Sequence, residues 1–143
     1  MTRVFAAVAI FQLLLGCGTQ QMYEGSKRLP EQIALLKPGS PTVLSSLAND
    51  PALVIDEIDG NPPRQRVTVD TPIFEVLPGK HRVKATLVSV SASYVSRSPS
   101  KIIEFEVKAG EAYTIFYRWR NRRESDWILF VKEDRTGNVI AEY

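Results

Sequence analysis

The chain has 143 residues, with one histidine, one cysteine and a formal net charge of +2. One histidine and one cysteine exclude a multi-histidine metal site and an internal disulfide, so the fold must rest on its own packing. Eighteen basic residues against 16 acidic ones are a near-balance, which excludes the broad basic surface expected of a nucleic-acid-binding protein.

Arg3 supplies a positive start, and residues 4–15 are apolar except for Gln12. This run is shorter than the roughly 20 apolar residues that a membrane-spanning helix needs. A charged start followed by an apolar core of this length predicts a secretion signal. The run closes on Leu14-Leu15-Gly16-Cys17, which resembles the lipobox of bacterial lipoproteins. The resemblance implies diacylglycerol on the Cys17 sulfur, cleavage before Cys17 and acylation of the new amino terminus. Two or three acyl chains anchor a protein durably where one does so only marginally. Gly18 stands where an aspartate favours retention in the inner membrane. For a Gram-negative host the resemblance therefore implies an outer-membrane lipoprotein facing the periplasm. Residues 1–16 are then signal peptide, and the 127 that follow suffice for one domain but not two.

Residues 17–31 read as the lipidated amino terminus and a flexible tether, being polar and interrupted by Gly18, Gly25 and Pro30. The predicted domain covers residues 32–143. Residues 32–37 are a short apolar run stopped by Pro38-Gly39 and predict a first strand. Residues 38–51 hold three prolines and several serines and predict mostly loop, with a candidate helical turn over 44–48. Residues 52–59 predict a strand closed by Asp59-Gly60-Asn61-Pro62-Pro63, where the prolines forbid further ladder bonding. Residues 64–70 alternate loosely, as loop or short edge strand, and 73–77 predict a strand ending at the turn Pro78-Gly79-Lys80.

Residues 81–94 form a long run in which Val83, Ala85 and Leu87 alternate in one phase and Val88, Val90, Ala92 and Tyr94 in the other. The slip predicts a bulge near Leu87-Val88, followed by polar loop over 95–100. Ile103, Phe105 and Val107 share one face of a strand over 102–108. Lys108-Ala109-Gly110-Glu111 is a tight turn, and the strand over 112–119 sets Tyr113, Ile115, Tyr117 and Trp119 on one face. Residues 120–126 are a charged hairpin loop. Residues 127–132 and 138–143 form a last hairpin around Asp134-Arg135-Thr136-Gly137. Strands about ten residues apart with turn chemistry between them predict a single all-β domain, an antiparallel β-sandwich.

Three stretches carry a further resemblance: Val54-Ile55-Asp56-Glu57-Ile58-Asp59-Gly60, then Glu75-Val76-Leu77-Pro78-Gly79-Lys80-His81-Arg82-Val83, then Phe105-Glu106-Val107-Lys108-Ala109-Gly110-Glu111. In this order they resemble the PEGA domain, a small immunoglobulin-like β-sandwich of bacterial envelope proteins, over residues 52–117. The Pro-Glu-Gly-Ala signature is absent, the segment over 88–100 is long and serine-rich, and the last hairpin is extra. The resemblance implies an envelope setting and transfers no catalytic residue.

His81 follows a Pro-Gly-Lys turn and reads as a strand-start residue packed or bonded beside it. Asp56 and Glu57 are adjacent in a strand and are predicted on opposite faces, which argues against a carboxylate dyad. Asp59 with Asn61, and Asp134 with Asn138, hold fragments of a calcium loop without its spacing and read as turn residues. Arg118, Trp119, Arg120, Arg122 and Arg123 gather at one hairpin. They are candidate contacts for an anionic partner such as lipid headgroups or cell-wall glycan, although Glu124 and Asp126 favour a solvated loop. No catalytic residue, metal ligand or cofactor is predicted. The expectation is a non-catalytic, lipid-anchored envelope module for interaction or assembly, partnered by the membrane through Cys17 and by an envelope protein or the cell wall, and not by nucleic acid. Binding of glycan or an anionic surface through the arginine–tryptophan hairpin is the alternative.

Overall fold

A computed structural model describes residues 19–39, 50–64, 71–121 and 126–143. They contain ten strands: β1 (Thr19–Gln21), β2 (Ala34–Pro38), β3 (Ala52–Ile58), β4 (Ile73–Val76), β5 (Gly79–Val90), β6 (Val95–Arg97), β7 (Lys101–Val107), β8 (Ala112–Trp119), β9 (Trp127–Glu133) and β10 (Val139–Glu142). The only helical element among the described residues is a 3-10 turn, Pro30–Gln32. The fold is all-β.

Two open sheets divide the strands. The larger has the order β1-β4-β2-β8-β9-β10; in the smaller, β5 is central, with β3 on one side and β6 and β7 on the other. One hydrophobic cluster draws from both: Leu36, Phe74, Tyr113, Ile115, Trp127 and Leu129 from the first, Leu53, Ile55, Val83, Leu87, Ile103 and Phe105 from the second. Burying these faces against each other is the dominant stabilising term.

The smaller sheet is antiparallel throughout. The larger is mixed, a departure from the wholly antiparallel expectation: β1 pairs β4 and β2 pairs β8 in parallel. The reason is connectivity. The 108–111 turn carries the chain from one sheet to the other, so β8 starts at the same end of the sheet as β2 and runs beside it. Pro78-Gly79 is likewise an inter-sheet crossing, between β4 and β5. Local turn chemistry marks a change of direction but not the next partner.

Several expectations shift. Residues 19–31, read as tether, carry β1 and the start of the 3-10 turn. The long run ends at Val90, and β6 occupies residues expected as loop, joined to β5 by a turn in which the Ser91 N–H bonds Tyr94 O at 2.9 Å. No register shift falls at Leu87-Val88; the irregularity lies on the partner strand, between Ile55 and Glu57. The phase change in β5 arises because both of its faces are buried there: Thr86 and Val88 are as inaccessible as Leu87. The helical turn over 44–48 and the loose segment over 65–70 lie outside the described residues.

The molecule has two unlike ends. Tight turns at Asp59-Gly60, Pro78-Gly79, 108–111 and 134–137 gather at one, the turn end. At the other, the loop end, β2 finishes, β3 starts, β5 joins β6 and β8 passes into β9. Tyr117 Oη donates to Pro51 O at 2.9 Å there and ties the sheets together. Burial and the nearby Asp50 carboxylate raise the Tyr117 pKa, which keeps that donor protonated. On the outer face Phe116 stacks on Phe130 at 5.5 Å. Gly39 lies beneath it, where an added Cβ would stand 2.4 Å from the ring.

Candidate functional site

A cleft of about 450 Å³ lies at the turn end, lined by Asp59, Lys80, His81, Arg82, Glu104, Phe105 and Glu106. Its geometry follows from the Asp59-Gly60 turn. Both residues have positive φ, 54° and 80°, and Ile58 and Asn61 exchange two backbone bonds of 2.9 Å. That is a two-residue type I′ turn, whose conformation Asp and Gly tolerate best. The turn aims the Asp59 carboxylate back at β5. Oδ1 accepts the Arg82 N–H at 2.8 Å and Oδ2 meets His81 Nδ1 at 2.6 Å.

His81 is thereby fixed. Its Nε2 lies 2.6 Å from Leu77 O, and its side chain is only 10% exposed. Both ring nitrogens face protein acceptors, so neither points into the cleft as a free base. The resemblance to a His–Asp pair of hydrolytic sites stops there, because a catalytic imidazole must present one nitrogen to the reacting group. The cleft charges alternate in sign, with Arg82 Nε 3.9 Å from Glu104 and Lys80 opposite Glu106 in the register.

Asp56 and Glu57 correct the sequence reading. Because Asp56 is the extra residue of a bulge, the two carboxylates share the outer face and Ile58 returns to the core. They still form no dyad. Asp56 accepts the Thr86 hydroxyl, Thr86 Oγ1 in turn lies 3.0 Å from Ser100 Oγ, and Glu57 pairs with Lys84 at 3.0 Å. Among the described residues, no group of three or more His, Cys, Asp or Glu side chains is placed to hold a metal ion.

The arginine–tryptophan hairpin is divided by strand alternation. Arg118 lies on the outer face, over Phe130 at 5.8 Å, and its Nη2 donates to both carboxylate oxygens of Glu142 at 2.9 and 3.0 Å. Trp119 projects from the opposite face, edge-on to Tyr117 and 38% exposed. Arg120 is 3.9 Å from Asp126. Arg122, Arg123 and Cys17 lie outside the described residues.

Sequence reasoning missed Glu75. It sits on β4 between β1 and β2, buried at 4% exposure. Oε1 accepts the Thr19 hydroxyl at 2.7 Å and lies 3.5 Å from Lys27 Nζ, while Oε2 is buried without a partner. Its burial comes from residues far off in sequence, so no local pattern could have revealed it.

No helix among the described residues is long and apolar enough to cross a membrane. No protein-family model matches the chain, and neither a curated protein nor a solved structure matches it.

Proposed function

We propose that the chain is a lipid-anchored envelope protein whose β domain acts as a non-catalytic interaction or assembly module. One observation carries this reading: Thr19–Gln21 is paired with β4 in the larger sheet, only two residues after the cysteine of the Leu14-Leu15-Gly16-Cys17 motif. The sheet thus engages the chain as early as the third residue of the processed lipoprotein that the motif implies. The engagement of both His81 nitrogens supports a non-catalytic role. A PEGA-type sandwich is the finer reading of the fold. It is supported by turns at Asp59-Gly60, Pro78-Gly79 and Ala109-Gly110, each closing a strand of the expected stretch. In this reading the acyl chains set location, and the domain presents its loops and sheet edges to an envelope partner.

The test is metabolic labelling with palmitate. Wild-type protein incorporates the label and fractionates with membranes; Cys17→Ala accumulates as an unlabelled precursor. A mature product with a free Cys17 thiol and an intact Met1 overturns the proposal.

A further inference from the structure

We infer, on the premise that Cys17 carries the lipid as proposed above, that the loop end of the domain rests in the lipid headgroup layer and the turn end faces away from the bilayer. The strand registers fix the geometry. Gln20 is level with Phe74, Phe74 with Leu36, and Leu36 with Tyr113. β8 runs from Tyr113 toward the loop end and stops at Trp119, whereas β1 enters the sheet from that end at Thr19. Trp119 is therefore five residues farther toward the loop end than Thr19, about 17 Å at the usual rise per strand residue. Cys17 is two residues from Thr19, so its Cα can lie no more than about 7 Å of extended chain away, with the sulfur about 3 Å farther. The anchor is shorter than the projection. A domain held upright at Cys17 carries the Trp119 end of β8 into the headgroups, a layer about 5–8 Å deep on each side of the hydrocarbon.

The side chains at that end suit the location. Trp119, Tyr94 and Tyr143 are 38%, 62% and 59% exposed, and amphipathic rings favour the membrane–water interface. Arg118, Arg120 and Lys101 accompany them. Among the described residues Arg118 pairs with exposed Glu142 and Arg120 lies 3.9 Å from half-exposed Asp126, and surface pairs of this kind hold weakly enough to yield to lipid phosphate. The Lys101 ammonium lies over the Tyr143 ring at 4.5 Å. The occupant is thus an anionic bilayer surface. A partner protein would find the free turn end, with its cleft around His81.

The experiment uses the full lipidated chain in vesicles of phosphatidylethanolamine and phosphatidylglycerol containing a headgroup-attached nitroxide. A fluorophore is placed on Ser93→Cys, in the exposed β5–β6 turn, or on Arg135→Cys, in the exposed β9–β10 turn. Acylated Cys17 leaves the introduced thiol as the sole labelling site. Several-fold stronger quenching at position 93 than at 135 is expected. Equal quenching, or stronger quenching at 135, in protein whose mass includes the acyl chains overturns the orientation and leaves the anchor standing. Protein lacking the acyl mass overturns the anchor, and the orientation with it.

Discussion

Asp59 shows how much one side chain can organise. Its positive φ belongs to the turn, and its carboxylate ties that turn to β5 through Arg82 N and His81. Asp59→Ala loses both contacts and keeps the unfavourable conformation, so it should cost about 2 kcal/mol; Asp59→Asn, which tolerates positive φ and retains an acceptor, should cost less than half of that. Urea unfolding of the two variants checks the order. Asp134 gives a second residue-scale expectation. Partial burial alone would raise its pKa, but the Lys37 ammonium at 2.8 Å and the Thr114 hydroxyl at 2.5 Å outweigh that and hold it below the ordinary value of 3.8. A carboxylate depressed on folding stabilises above its unfolded pKa and loses that contribution as pH falls through the folded one. Asp134→Asn should therefore be less stable than wild type at neutral pH, and the gap should close in the acid range below 3.8. Urea midpoints at pH 7 and pH 2 measure it. The turn roles of Asp59 and Asp134 were legible because turn chemistry is local. The bonds that make Asp59 structural reach 22 and 23 residues ahead and were not.

At the scale of elements, β1 is the least obvious strand and the most telling. Thr19–Gln21 is polar, short and half-buried, with no alternation to mark it. Its place depends on β4: Met22 N donates to Glu75 O at 2.9 Å, and Thr19 Oγ1 donates to the buried Glu75 carboxylate. Thr19→Ala should leave Glu75 with one polar contact fewer and loosen the strand by about 1 kcal/mol. Hydrogen exchange at the Met22 amide should quicken about fivefold for that amount of local opening. Unchanged exchange would mean that β1 is held by its backbone ladder alone. β7 and β8 were legible for the opposite reason. Ile103, Phe105 and Val107, and then Tyr113 and Ile115, alternate strictly and all reach the core. The bulge at Asp56 was misplaced because hydrophobicity records which residues are buried, not which face covers them. Both faces of β5 are buried near Leu87, which imitates a slip of register.

For the whole molecule, a core shared by two sheets predicts one cooperative transition. Far-ultraviolet dichroism, which follows the strands, and near-ultraviolet dichroism of buried Trp127 should give coincident urea curves. Separate midpoints would mean that the sheets hold independently. By itself the sequence determined an all-β chain and most of its strands and tight turns, because residue alternation and turn stereochemistry act within a few positions. Only the tertiary structure decided which strands pair, why two pairings are parallel, where Glu75 is buried, and that Arg118 and Trp119 stand on opposite faces. Each of these depends on neighbours that the chain brings together across tens of residues. The same long-range placement sets the level of Thr19 against that of Trp119, and so decides which end a lipid on Cys17 would hold against a bilayer.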